Sequence, residues 1–312
     1  MEEIKKIATR ESYGNALKEL GGKYQDVVVL DADLSGATRT SRFRDAYPDR
    51  FMNCGIAESN MMGVAAGLST MGLVPFVSSF AMFAAGRAFE QIRNSIGYPH
   101  LNVKIAATHG GVSVGEDGAT HQCNEDFALM RTIPGMTVMC PADDIEAKLM
   151  VEAAYKHKGP VYMRFGRAYS PVFHDQGMKF EIGKGEVLRD GSDVAFIANG
   201  IMVYEALMAA QELSTQGIDA MVIDMATIKP LDEKLLISAG QKCGRFIVAE
   251  EHSVIGGLGE AVSRFMAENL SVRIGCIGVN DVFGHSGGCD ELLHDFGLDA
   301  GNIVAQALKL CR

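Results

Sequence analysis

The stretch N-V-K-I-A-A-T-H-G-G-V-S-V-G-E-D-G-A-T-H-Q, residues 102–122, decides the fold class. Val103 to Ala107, apolar but for Lys104, is of strand length and reads as a strand. Directly behind it, Thr108 to Gln122 is glycine-rich and loop-like, and it carries His109, Asp117 and His121. A long loop at the carboxyl end of a strand is where open α/β proteins keep their function. A lone histidine there would be unremarkable; two with an aspartate on a glycine-rich loop favour a site.

Outward from this stretch the pattern repeats. Val27 to Leu30, Val74 to Val77, Thr137 to Met139 and Val161 to Phe165 read as further strands. Pro75 belongs at the start of its strand or on an edge, because it cannot donate to a ladder. A helix starts near Thr9, read as its N-cap, and others are predicted over Ser59 to Met71, Ala84 to Ile96, Glu125 to Met130 and Asp143 to His157. Strand and helix in alternation predict α/β architecture: a mostly parallel sheet with helices on both faces. Ala168 to Lys184, with Tyr169-Ser-Pro171 and His174-Asp-Gln-Gly177, is turn-rich. A second α/β series follows. Its strands are Val194 to Ala198, Met221 to Ile223, Phe246 to Ala249 and Arg273 to Ile277, and its helices Val203 to Gln216, Asp232 to Gly240 and Gly257 to Glu268. The expected division is a first domain over 1–170, a linker over 171–184 and a second, smaller domain over 185–312.

Composition narrows the function. The 312 residues are 47% hydrophobic and 22% charged, ordinary for a globular chain and incompatible with disorder. A net charge of −10 argues against a nucleic-acid binder, and an anionic substrate would need a local cationic pocket. No run of apolar residues is long enough for a membrane span, and Met1 to Lys6 lacks the apolar core of a secretory signal. Seven scattered cysteines without a C-x-x-C pair fit neither a zinc ribbon nor a disulfide framework, and point to the reducing cytoplasm. Walker A, H-E-x-x-H and G-x-S-x-G motifs are missing, as is G-x-G-x-x-G after the first strand. Gly256-Gly-Leu-Gly259 precedes a helix; it suits either an anion at the helix N-terminus or close packing of helix on sheet.

Two more segments are polar or aromatic where a strand ends. Gly55-Ile-Ala-Glu58 leads into a helix, where a carboxylate is favoured by the helix dipole, so simple capping is one account of Glu58. Phe80 and Phe83, just after a strand, are ordinarily core.

Taken in order, Leu30-Asp-Ala-Asp-Leu34, Gly55-Ile-Ala-Glu58, Phe80-x-x-Phe83, Arg87-Ala-Phe-Glu-Gln-Ile-Arg93, Gly115-Glu-Asp-Gly118 with Thr120-His-Gln122, and Asp281-Val-Phe-Gly-His-Ser-Gly287 closely resemble the C-terminal section of transketolase, from about Arg10 to Gln306. The resemblance implies a pyrimidine-binding domain followed by a transketolase C-terminal domain, and a thiamine diphosphate cofactor. It implies that the magnesium ligands, a Gly-Asp-Gly and a later Asn, lie on a separate chain. Arg189-Asp-Gly191 lacks the first glycine, and a first strand near residue 27 leaves no room upstream for such a domain. The expected protein is thus the small subunit of a two-chain transketolase that moves a two-carbon ketol unit between sugar phosphates. It would pair with that second chain and with itself in a two-plus-two assembly.

By resemblance, Glu58 bonds the pyrimidine ring nitrogen and promotes proton loss from the cofactor. Phe80 and Phe83 pack on the pyrimidine, and Asp33 lies near the thiazolium. Asp117 reads a donor hydroxyl, His121 bonds the ketose near its carbonyl, and His109 and Arg164 hold the phosphate. A tyrosine common after the second Phe is Gly86 here, and a phosphate-contacting serine is Ala37, with Ser35 nearby as a substitute; Arg167 is a further cation in reach of the same role. The beta subunit of a 2-oxo-acid dehydrogenase shares the two-domain plan, but Gly115-Glu-Asp-Gly-x-Thr-His121 argues against it. Deoxyxylulose-phosphate synthase has a similar loop and is ordinarily one long chain. A non-enzymatic remnant would have no reason to keep Glu58, Asp117 and both loop histidines.

Overall fold

The computed structural model describes residues 5–311; Met1 to Ile4, read above for a secretory signal, lie outside them. The first domain holds strands β1 (Lys6–Ala8), β2 (Val27–Asp31), β3 (Phe51–Asn53), β4 (Val74–Ser78), β5 (Lys104–Thr108), β6 (Thr137–Met139), β7 (Val161–Phe165) and β8 (Tyr169–Pro171). The second holds β9 (Glu186–Arg189), β10 (Val194–Ala198), β11 (Ala220–Asp224), β12 (Thr227–Lys229), β13 (Arg245–Ser253) and β14 (Arg273–Val279). The chain is α/β, with two mostly parallel sheets flanked by helices.

The main sheet has the order β12-β6-β7-β5-β4-β2-β3. All its neighbours are parallel except β12 on β6. The central strands β2, β4, β5 and β7 are buried along their whole length and mostly apolar on both faces, while edge strand β3 is partly exposed. Along β2, Val27 and Val29 join one core with helices Thr9–Lys23 and Asp144–Lys156. Val28 and Leu30 point the other way, into a core that includes Met61 and Ala65 of helix Glu58–Thr70 and, from the second domain, Ile197, Val248 and Leu258. The second sheet runs β14-β13-β10-β11-β9, parallel but for β9.

Three sequence readings change, and one, Pro75, is narrowed. Thr9 is the first residue of its helix, not the cap: its hydroxyl accepts the Gly166 N–H at 2.8 Å. Pro75 does fall near the start of its strand, which is central rather than on an edge: it pairs with Val28 of β2, and pairing with β5 starts one residue later at Phe76, so no ladder bond requires its missing N–H. Ala84 to Ile96 is not one α-helix but a short α segment between two π-helical turns, Met82–Arg87 and Ile92–Gly97. The predicted second domain is not self-contained: its β12 leaves the second sheet and closes the edge of the first, with Thr227 opposite Met139. Among the described residues no helix is long and apolar enough to cross a membrane.

Candidate active site

Because β2, β4, β5 and β7 are parallel, their carboxyl ends and following loops meet at one edge of the sheet. Asp31 ends β2. Burial pushes its carboxyl up, while the Leu34 N–H (2.6 Å) and the Thr38 and Thr40 hydroxyls (2.7 and 2.8 Å) pull it back. Those bonds fix the next turn and hold Asp33 exposed at a left-handed φ of 64°. Asp33 exchanges two hydrogen bonds with Asn53 at the end of β3, at 3.0 and 3.1 Å.

Glu58 opens helix Glu58–Thr70 and is 1% exposed. It does not cap the helix. Its Oε2 accepts from Arg87 Nη1 at 2.8 Å, and its Oε1 lies 3.4 Å from the Ser79 hydroxyl. The loop after β4 brings the aromatics in. Phe80 stacks on His109 with ring centroids 3.8 Å apart, and Phe83 lies 5.8 Å from Phe80. His121 meets both phenylalanines edge-on, at 6.2 and 5.3 Å. Through Ser79, next to Phe80, and through Arg87, whose guanidinium lies 4.6 Å from the Phe83 centroid, Glu58 joins Phe80, Phe83, His109 and His121 in one patch, whereas Asp33 and Asp117 are exposed.

His109 is buried, and its pKa is lowered to about 3 by burial and by the charges of Arg10, Arg167 and Arg39. Its Nε2 accepts from Arg10 Nη1 at 3.1 Å, which leaves the proton on Nδ1 for Thr108 Oγ1 at 2.8 Å. The ring is therefore neutral, and the cations beside it are arginines.

Arg164 does not join this cluster. It is 3% exposed, and its fork grips Asp126 with Nε to Oδ2 at 3.0 Å and Nη2 to Oδ1 at 2.9 Å. Nη2 also donates to the Cys123 carbonyl and Nη1 to that of Glu251, while the guanidinium lies 4.3 Å from the Phe127 ring centroid. Burial opposes its charge, but Asp126 and Glu251 more than compensate and its pKa rises. The sequence reading of Arg164 as a phosphate holder gives way to a structural one, since its donors are turned into the core. Arg167, beyond the end of β7, is part-exposed, bonds the Val114 carbonyl and pairs with Glu116 at 2.8 Å. Arg10, Arg39 and Arg167 are thus the cations around His109. Sequence reasoning missed Arg10 and Arg87; the latter stood inside the quoted segment Arg87 to Arg93.

The Gly256-Gly-Leu-Gly259 turn binds an anion of the protein's own: the Glu250 carboxylate accepts from Leu258 N at 2.7 Å and Gly259 N at 2.8 Å. Among the described residues no group of three or more His, Cys, Asp or Glu side chains is placed to hold a metal ion.

The family model described as transketolase, pyrimidine binding domain matches residues 5–171, and that of the transketolase C-terminal domain matches residues 183–303. The chain belongs to the transketolase family. A solved split gene transketolase, an inactive beta4 tetramer, superposes with a TM-score of 0.90 at 51% identity, covering 98% of each chain. The 6-deoxy-6-sulfo-D-fructose transketolase subunit of a Clostridium species is 42% identical, over 96% of this chain and 92% of that one. Human transketolase is 38% identical over 97% of this chain, but the match spans only 49% of the human protein.

In this transketolase chain the second domain buttresses the loop of the first. Gln122 Nε2 donates to the carbonyls of Val112 (3.1 Å) and His285 (2.9 Å), and Cys289 Sγ to that of Ser113 (3.1 Å). The Glu251 carboxylate accepts the Ser113 N–H at 2.7 Å. Gly111, Gly115 and Gly118 all have φ between 72° and 87°, so the loop takes turns that favour glycine.

Proposed function

We propose that this chain is one of two subunits of a thiamine-diphosphate-dependent transketolase that moves a two-carbon ketol unit from a ketose to an aldose. The observation that carries the reading is the patch of Glu58, Phe80, Phe83, His109 and His121 at the strand ends. A buried carboxylate beside two phenylalanine rings suits a flat nitrogen heterocycle with a donor edge, which is the aminopyrimidine of the cofactor. When bound, thiamine diphosphate supplies the carbanion nucleophile. Glu58 holds a proton at the pyrimidine ring nitrogen, and Phe80 and Phe83 pack on the ring. Asp33 lines the thiazolium side. His121 positions the reacting end of the ketose, and Asp117 reads a donor hydroxyl.

His109, being neutral, contributes shape and orientation rather than charge. Arg10 and Arg167 supply the positive field for an anionic sugar terminus, and Arg supports that role through its forked donors. The sulfo-sugar name of one relative supports a class of tetrahedral oxyanion, phosphate or sulfonate. The split gene transketolase and the subunit-named relative support a partner chain, which in this reading holds the diphosphate and magnesium in a two-plus-two assembly. Seven free cysteines support a cytoplasmic setting. The test is co-expression with a chain carrying Gly-Asp-Gly and the later Asn, then assay of ketol transfer with cofactor and magnesium. Activity of the pair and none of the isolated chain is expected; robust transfer by the chain alone sinks the reading.

A further inference from the structure

We infer that Arg87 is a stand-in for the cofactor's pyrimidine ring: it occupies the ring's partners in the free chain and is displaced when the ring binds. This rests on the thiamine diphosphate reading above.

The guanidinium of Arg87 makes two contacts. One N–H donates to Glu58 Oε2 at 2.8 Å, and its central carbon sits 4.6 Å from the centroid of the Phe83 ring. A guanidinium is flat, stacks on aromatic faces and presents N–H donors along its edge. The aminopyrimidine asks for the same partners, a carboxylate at its edge and an aromatic face against its plane. Phe80 already gives a face to His109 at 3.8 Å, while Phe83, with the Phe80 ring at 5.8 Å and His121 edge-on at 5.3 Å, carries the Arg87 guanidinium at 4.6 Å. Guanidinium and pyrimidine therefore compete for Glu58 and Phe83.

Three further features suit departure. The Arg87 side chain is 50% exposed, and its bond to Glu58 is the one side-chain hydrogen bond it makes among the described residues. It ends the π-helical turn Met82–Arg87, a local distortion of the kind found at functional sites. Beside it, the Met82 Cε lies where a Cβ on Gly86 would stand, so Met82 fills part of the space left by the tyrosine common at this position in the family. Meanwhile Glu58 is buried, and without cofactor or Arg87 it would lack a charged partner. Arg87 keeps the carboxylate satisfied until the ring arrives, at the expense of affinity for the ring.

The test uses the two-chain complex, freed of cofactor and titrated with thiamine diphosphate and magnesium by calorimetry and by stopped-flow. Losing a half-exposed ion pair and a cation–π contact from the free state only, Arg87→Ala should tighten the dissociation constant by about 5- to 30-fold and speed association. Arg87→Gln, flat but uncharged, should fall between. Thermal unfolding gives a second readout. Arg87→Ala should lower the melting temperature of the cofactor-free complex and match wild type once cofactor is saturating. Unchanged or weaker binding, or a melting difference that persists with cofactor, overturns the inference: Arg87 would then stay on Glu58 as a positioning residue or play no part. If the wild-type complex takes up no thiamine diphosphate, the cofactor reading itself falls, and this inference with it.

Discussion

Arg164 and Arg167 stand three residues apart, and truncating each should give opposite phenotypes. Arg164→Ala removes a guanidinium that is 3% exposed from an aspartate that is fully buried. What remains to Asp126 is the Tyr162 hydroxyl at 2.7 Å. The Glu251 carbonyl loses the Arg164 donor as well, and the Cys123 carbonyl keeps the Gly111 N–H at 2.8 Å. Breaking a buried pair from one side costs about 3–5 kcal/mol, a large part of the ~5–15 kcal/mol that holds a typical domain together. Arg164→Lys keeps the charge but not the fork and should lose about 1.5–3 kcal/mol. Arg167 is part-exposed, and Arg167→Ala should leave unfolding close to wild type. In the two-chain enzyme, however, it should raise KM for substrates with an anionic terminus by roughly 10- to 100-fold with kcat nearly preserved, because that terminus lies far from the bond being broken. Urea unfolding of the purified chains and steady-state kinetics of the complexes read the two arms. Wild-type stability in Arg164→Ala together with a raised KM for phosphorylated sugars would refute the reasoning and return the anion to Arg164.

Three other expectations concern carboxylates. Burial raises the Glu146 pKa to about 7, against relief from His174 and the Ala142 N–H, and burial with Glu146 also raises Asp224 beside it. A raised carboxyl contributes stability that is present below its unfolded pKa and lost as pH climbs through the folded one. The chain should thus lose on the order of 2 kcal/mol between about pH 4.5 and 7 through Glu146, and Glu146→Gln should flatten that slope; parallel stability curves for the two proteins would exclude it. Glu58→Gln in the cofactor-loaded complex should cut turnover about 100- to 1,000-fold with a much smaller change in cofactor affinity, and hydrogen–deuterium exchange at the thiazolium carbon as fast as wild type would remove Glu58 from the mechanism. Glu250→Ala should destabilise by about 1–3 kcal/mol, because the Leu258 and Gly259 N–H groups lose their acceptor; an unfolding midpoint equal to wild type would mean water takes its place.

Sequence and structure part company where long-range partners decide. Runs such as Val27 to Leu30 and Val161 to Phe165 were legible because strands buried on both faces are apolar throughout. The edge strand Thr227–Lys229 was not, for nothing local announces that a segment of the second series pairs with Met139. Thr9 has the chemistry of a cap, and only the approach of Gly166 diverts it. At the candidate site, the order of the motifs singled out Glu58, the phenylalanines and the loop histidines, which the fold brings together. The choice between arginines was not legible, although position held a clue. Tyr162 and Arg164 are two apart in a strand, so they share a face, and both reach Asp126. Arg167 lies past the strand end, in the loop that follows β7. Asp126 itself sits 38 residues from Arg164, beyond any local reading.

The strand that crosses from one sheet to the other also governs how the molecule comes apart. Thr227–Lys229 seals the free side of β6, Cys140 N–H bonds the Ala226 carbonyl at 2.8 Å, and Lys229 Nζ ties down the Arg131 and Ile133 carbonyls. One hydrophobic core runs through both halves. Neither half can therefore melt while its neighbour stays native, and calorimetry should record a single cooperative transition. A fragment ending near residue 180 would present a bare β6 edge and half a core to solvent, the combination that drives chains to aggregate. These two domains are separable by name and by sheet, but not as interchangeable parts.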